Sequence, residues 1–125
     1  MSHVLVETKD RVARIELNRP EKKNALSPGM YAAMAQALAA ADTDGAVRAV
    51  LIHGQSGCFT SGNDVKDFLE LERAPGESPA AGFLHAIAGA KKPIVAAVGG
   101  PAVGVGTTML LHFDLIYAAP NARFQ

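Results

Sequence analysis

Two glycine-containing loops are the places in this sequence where chemistry could be done. They are Phe59-Thr60-Ser61-Gly62-Asn63-Asp64 and Gly100-Pro101-Ala102-Val103-Gly104-Val105-Gly106. Each joins an apolar, strand-like run to a helix-like one. Such a junction leaves backbone N–H groups unpaired at the positive end of a helix dipole, where an anion or a polarised carbonyl oxygen is stabilised. Glycine permits positive φ and lets a ligand approach the backbone closely. Either loop alone also reads as a plain turn. Nucleotide chemistry fits less well. Gly104-Val105-Gly106-Thr107-Thr108-Met109 carries the first two glycines of a dinucleotide fingerprint, but Met109 stands at the third small position and the run begins several residues past the strand. No Gly-Lys-Ser/Thr triplet occurs, which excludes a phosphate loop of the Walker type.

The other reactive residue types point elsewhere. Asp64, at the start of a helix, reads as dipole compensation rather than as a base. His53 at a strand end, His85 inside a helix and His112 have no Cys or acidic partner at metal-ligand spacing; they read as structural, and no metal is expected. Cys58, beside the first loop, reads as a small packing residue. As the single cysteine it can close no internal disulfide, which fits a reducing compartment and a cytoplasmic location. Twelve basic and twelve acidic residues cancel, so no net field favours nucleic acid or an anionic membrane as a partner, although Lys22-Lys23 and Lys91-Lys92 are local basic pairs. The N-terminus lacks the pattern of a secretory signal, and no apolar run approaches the roughly 20 residues that span a bilayer.

The elements that must position the loops follow from periodicity. Val4–Thr8 and Val12–Leu17 read as strands around the polar turn Lys9-Asp10-Arg11, the second burying Ala13, Ile15 and Leu17 on one face. Ser27 followed by Pro28 starts a helix whose apolar stripe is Met30, Met34, Leu38 and Ala41, ended by Thr43-Asp44-Gly45. Ala49–His53 and Ile94–Val98 read as fully buried strands. Val65, Phe68, Leu69 and Glu72 suit a short amphipathic helix, and Pro75-Gly76-Glu77-Ser78-Pro79 reads as a mobile turn-rich segment. Ala80–Ala90 and Thr107–Leu111 read as helices, and Leu115–Ala118 as a last strand. Strands and helices alternate, so the class is α/β with mostly parallel pairing, in one unit over residues 1–125.

Five segments, in order, resemble the successive signatures of the crotonase (enoyl-CoA hydratase/isomerase) family. They are Asn18-Arg19-Pro20 with Asn24-Ala25-Leu26; Phe59 to Lys66; Lys92-Pro93-Ile94-Val95-Ala96-Ala97-Val98; Gly100-Pro101-Ala102-Val103-Gly104; and Asp114-Leu115-Ile116-Tyr117-Ala118. The resemblance implies a spiral of ββα units, present here as the N-terminal part of a core domain, and a trimer or dimer of trimers in the complete protein. It implies a coenzyme A thioester as substrate and no separate cofactor. The backbone N–H groups of Asn63 and Val105 match the donors that hold the thioester oxygen as an enolate develops; both fall where the residues themselves place helix N-termini. Lys22, Ala25, Ser61, Gly62, Asp64, Val65, Lys66 and Gly104 match positions bordering the coenzyme A thioester.

Two departures matter. Hydratases of the family carry a glutamate three residues after the second donor; here that position is Thr108, which cannot serve as a carboxylate base and is expected to pack or cap its helix. The pattern is closer to the Δ3,Δ2-enoyl-CoA isomerase branch, in which one carboxylate shuttles a proton between two carbons, and by that resemblance the carboxylate lies shortly after Gln125. Double-bond isomerisation is the expected activity. Hydration, or acyl-CoA binding without catalysis, are the alternatives.

Overall fold

The computed structural model describes residues 2–71 and 78–125. Val4–Lys9 (β1) and Val12–Leu17 (β2) pair antiparallel, from Val4 opposite Leu17 to Lys9 opposite Val12. Asp10 and Arg11 make the turn, both at positive φ (51° and 67°), the handedness that matches strand twist in a two-residue hairpin. Ala49–His53 (β3), Ile94–Val98 (β4) and Leu115–Ala118 (β6) extend the sheet in parallel, in the order β1-β2-β3-β4-β6. Asp114 fastens β4 to β6: its Oδ2 accepts the Ile94 N–H at 2.8 Å, and its own N–H donates to the Ile94 carbonyl at 2.9 Å.

One face of the sheet is covered by two helices. Pro28–Thr43 (α1) starts as its sequence predicts, with Ser27 Oγ accepting the Met30 N–H at 3.2 Å and Pro at the first helical position. It buries Met30, Tyr31, Met34, Leu38 and Ala41. Lys92 Nζ donates to the Ala41 and Asp44 carbonyls at 2.5 and 2.6 Å, so this member of a basic pair closes the helix C-terminus. Pro79–Ala88 (α3), capped by Ser78, packs beside α1 and buries Phe83 and Ile87. Their apolar faces meet Ala13, Ile15, Leu17, Val50, Ile52, Ile94, Ala96 and Val98 in one core. Each large side chain fully buried there contributes about 1.5–3 kcal/mol, far more than helix propensity could.

Several expectations are corrected. β3 and β4 are not buried on both faces: buried and half-buried residues alternate along each, because the helices cover only one side. Val65–Leu71 (α2) forms, but Val65 and Leu69 are 70% and 58% exposed, so these apolar residues are not packed into the core. Glu72 and the residues 75–77 of the turn-rich segment lie outside the described residues. The expected helix Thr107–Leu111 is divided: Val105–Thr108 (α4) runs directly into a 3-10 turn at Met109–His112, whose tighter winding buries Met109 and Leu110. Thr108 therefore neither packs nor caps; it is exposed and makes no capping hydrogen bond.

Two short strands have no sequence signal of their own. Pro101–Ala102 (β5) and Arg123–Phe124 (β7) pair in parallel. With the parallel bridges Leu26 to Asn63 and Thr60 to Ala102, they form a second layer. Each pass of the chain thus contributes a long strand to the sheet, a short extended piece to this layer, and a helix. That is the expected spiral of ββα units, and both glycine loops lie in its second layer.

Candidate active site where the glycine loops meet

The two loops touch. Thr60 N–H donates to the Pro101 carbonyl at 3.2 Å, and Val103 N–H donates to the Thr60 carbonyl at 3.0 Å. A β-carbon on Gly62 would lie 2.9 Å from the Val103 carbonyl oxygen, and one on Gly106 would lie 2.4 Å from Thr60 Cγ2. Glycine is needed at Gly62 because the Val103 backbone occupies the place of a side chain, and at Gly106 because the buried Thr60 side chain does. Gly62 also sits at φ +93°, and Gly104 at φ +61°.

The peptide planes fix where the two candidate donors face. In a trans peptide the N–H points opposite to the C=O of the same plane. The Gly62 carbonyl accepts the Leu26 N–H at 2.8 Å, so the Asn63 N–H points away from Leu26. The Gly104 carbonyl accepts the Thr107 and Thr108 N–H groups at 3.0 and 3.1 Å, so the Val105 N–H points back out of the start of α4. Among the described residues, neither N–H has an acceptor. Gly104 N–H, by contrast, is taken by the Gln125 carbonyl at 2.8 Å.

A cleft of about 380 Å³ opens beside the first loop, lined by Arg19, Lys22, Ala25 and the run Asn63 to Asp67. Six of the residues expected to border the ligand are therefore brought together: Lys22, Ala25, Asn63, Asp64, Val65 and Lys66. Ser61, Gly62, Gly104 and the second candidate donor, Val105, are not in its lining. Ser61 ties the first glycine loop to the loop before α1 instead, its N–H donating to the Lys23 carbonyl at 3.0 Å.

The residues that shape this cleft were not all singled out by sequence. Arg19 Nη1 donates to Asp64 Oδ2 at 2.9 Å and to the Ala25 carbonyl at 3.1 Å, in a pair only 14% and 17% exposed. Asp64 Oδ1 accepts the Lys66 and Asp67 N–H groups at 3.1 and 3.4 Å, so Asp64 caps α2 rather than lying in its first turn. Desolvation pushes its carboxyl up, but the Asp67 N–H, the Arg19 hydrogen bond and charge, and the Lys66 N–H outweigh it, and Asp64 titrates below the ordinary aspartate range. Asn24 is fully buried; its Oδ1 accepts the Arg19 N–H at 2.8 Å, and its Nδ2 donates to Gln55 Oε1 and to the Phe59 carbonyl at 2.9 and 3.0 Å. Thr60, equally buried, donates from Oγ1 to the Asn24 carbonyl and accepts the Gly62 N–H. The signal was present in Asn18-Arg19-Pro20 and Asn24-Ala25-Leu26, which matched a family pattern without revealing what each residue holds.

Cys58 is half-buried; burial pushes its thiol up against the opposing pull of Lys23, so it stays protonated at neutral pH. Among the described residues, no group of three or more His, Cys, Asp or Glu is placed to hold a metal ion, and no helix is long and apolar enough to cross a membrane.

An α/β spiral of ββα units with this pair of loops defines a scaffold of the crotonase type, and relatives agree. The enoyl-CoA hydratase/isomerase family model matches residues 7–125, and the chain belongs to that family. Enoyl-CoA delta isomerase 2 of Homo sapiens is 35% identical over 129 residues, covering 98% of this chain and 32% of that protein. A probable enoyl-CoA hydratase of Rhizobium meliloti (strain 1021) is 38% identical over 123 residues, covering 97% of this chain and 48% of the relative. The solved structure of Pseudomonas aeruginosa OdaA matches with a TM-score of 0.94 at 48% identity, over 100% of this chain and 51% of that one. The chain thus spans about a third to a half of the length of these relatives.

Proposed function

We propose that the protein carrying this chain acts on an enoyl-CoA thioester and moves its double bond, with the thioester oxygen held between the Asn63 and Val105 N–H groups. The observation that carries this reading is the orientation of the Gly62–Asn63 and Gly104–Val105 peptides on two touching loops. Removing a proton from C2 of a 3-enoyl thioester drives negative charge onto the carbonyl oxygen. Returning that proton at C4 gives the 2-enoyl thioester, so one carboxylate balances the reaction. Preorganised donors at the oxygen are worth about 2.7–4 kcal/mol for one donor. Because the donors are backbone groups, neither the Asn63 nor the Val105 side chain has to touch the oxygen itself.

Lys22 and Lys66, both exposed at the cleft, are the cations available for the phosphates of coenzyme A. Arg19 is not, since Asp64 already holds it. That commitment also disqualifies Asp64 as the base: it is ion-paired, it caps a helix, and its carboxyl is held in the ionised form with weakened basicity. The proton-moving carboxylate is assigned to the rest of the complete protein.

Hydration is the competing reading, because a relative is named as a probable hydratase. Thr108 speaks against it, since it offers no second carboxylate to activate water. The experiment is to assay the complete protein on matched 3-enoyl-CoA and 2-enoyl-CoA substrates. Isomerisation outpacing hydration is expected; hydration as fast as isomerisation or faster would overturn the assignment.

A further inference from the structure

Asn63 is gripped through its side chain. Its Oδ1 accepts a hydrogen bond from the hydroxyl of Tyr31. Tyr31 sits in the first turn of α1 and is only 3% exposed. Its ring packs against Phe83 of α3 at a centroid separation of 5.6 Å and a tilt of 46°. Burial pushes its phenol up to about 12, so the hydroxyl stays a proton donor at any working pH.

The same short stretch of chain holds the loop at two further points. Leu26 N–H donates to the Gly62 carbonyl at 2.8 Å, and Asp64 N–H donates to the Leu26 carbonyl at 2.9 Å. Gly62 has no β-carbon and sits at φ +93°, so its own sterics do little to restrict the peptide that carries the Asn63 N–H. A hold on the Asn63 side chain supplies the restraint that the glycine lacks. Tyr31 is itself immobilised by the core, through α1 below and Phe83 beside it.

We infer that Tyr31 is a positioning residue: its hydroxyl holds the Asn63 carboxamide and so sets the direction of the Asn63 N–H toward the thioester oxygen. The inference rests on the thioester reading above. It places the rigidity of one oxyanion donor in the α1–α3 helix pair rather than in the loop. Tyr31 touches no substrate in this account; it acts only through Asn63.

The test uses the complete protein and acetoacetyl-CoA, a 3-oxoacyl thioester whose enolate absorbs in the near ultraviolet and forms in proportion to stabilisation at its oxygen. The unaltered protein should develop the enolate band. Tyr31→Phe, which removes only the hydroxyl, should lower the enolate-to-keto ratio about three- to tenfold, the range of one lost hydrogen bond. Affinity for free coenzyme A should not change, which a general loss of structure would not spare. Asn63→Ala keeps the backbone donor but removes the acceptor; it should lose the band by the same factor, and the double variant should be no worse than either single one. Because Asn63 is on an exposed loop, this second variant decides the matter even if Tyr31→Phe folds poorly. A full band in Asn63→Ala, or single effects that multiply in the double variant, overturns the inference. If the unaltered protein forms no band, the thioester reading fails and takes this one with it, a result visible before any variant is made.

Discussion

Gly62→Ala tests the contact on which the site depends. Two costs can be read from the structure. At φ +93° an L-residue adopts a left-handed backbone, at about 1–2 kcal/mol. The new methyl would also sit 2.9 Å from the Val103 carbonyl oxygen, a backbone atom held in place because Val103 N–H is bonded to Thr60. Forcing apart packed groups of this kind costs about 1–3 kcal/mol. The sum is about 2–5 kcal/mol, read as a lowered urea midpoint at unchanged slope. Gly57→Ala is the control: Gly57 has a similar φ of +101° but nothing within 4 Å of an added β-carbon, so only the first cost applies. The difference between the two variants therefore isolates the loop-to-loop contact. Gly62→Ala should also weaken the acetoacetyl-CoA enolate band, because the displaced peptide is the one that carries the Asn63 N–H. If Gly62→Ala is no more destabilising than Gly57→Ala, the loops are not packed as described, and the case for a shared oxyanion site collapses.

Three further outcomes are expected. Asp64→Asn should cost about 1–2 kcal/mol at neutral pH, the scale of a partly exposed charged hydrogen-bond set. Since the folded Asp64 carboxyl titrates below its unfolded value, that advantage is present above about pH 4 and fades as pH falls through the lower folded value; paired denaturation curves at pH 7 and in acid check it, and a pH-independent difference would contradict it. Lys22→Ala and Lys66→Ala should each weaken binding of coenzyme A by about two- to fivefold, with the effect shrinking as salt rises; calorimetry showing unchanged affinity in both would make these lysines mere solvated charges. The 125-residue polypeptide, assayed alone on 3-enoyl-CoA and 2-enoyl-CoA, should show no appreciable turnover, because general base catalysis supplies about 10²–10⁴-fold and neither Asp64 nor Asp67 is placed to give it. Turnover near that of a complete enzyme would locate a base within residues 1–125.

What sequence made legible and what it did not divides along a physical line. Periodicity, capping and turn residues are local, so β1, β2, α1, β3 and β4 were readable, down to Ser27 as the cap and Pro28 behind it. The second layer was not. β5 and β7 are two-residue strands whose existence depends on pairing between successive turns of the spiral, and no local pattern encodes that. The same holds for the site. Glycines marked both loops, because close backbone approach leaves a compositional trace. The Arg19–Asp64 pair, the buried Asn24 and the Tyr31 hydroxyl are contacts across 45, 35 and 32 residues, and nothing near any of them in sequence announces its partner. Family-like motifs flagged Arg19 and Asn24 as positions without disclosing their work, and Tyr31 was hidden among the apolar residues of its helix.

The second layer also accounts for the two donors left free where the glycine loops meet. A parallel ladder continued from the Thr60–Ala102 bridge would pair Gly62 N–H with the Val103 carbonyl, and Val105 N–H with the Gly62 carbonyl. Neither bond is made. Gly62, at φ +93°, turns its carbonyl to Leu26 on the preceding turn of the spiral, and its N–H goes to Thr60 Oγ1 at 3.1 Å. The flip reverses the next peptide, so Asn63 N–H faces the side from which Val105 N–H has lost its acceptor. Gly104, at φ +61°, then carries the chain into α4 and prevents the ladder from resuming. A single break in pairing therefore strips the acceptor from one N–H, and in the function proposed above it turns a second toward the same gap. Unpaired backbone donors cost about 1–3 kcal/mol each where water is excluded, so a substrate that closes over these two must bring an oxygen to them. A thioester carbonyl, whose oxygen gains charge as the enolate forms, is an acceptor whose hold on two such donors strengthens along the reaction.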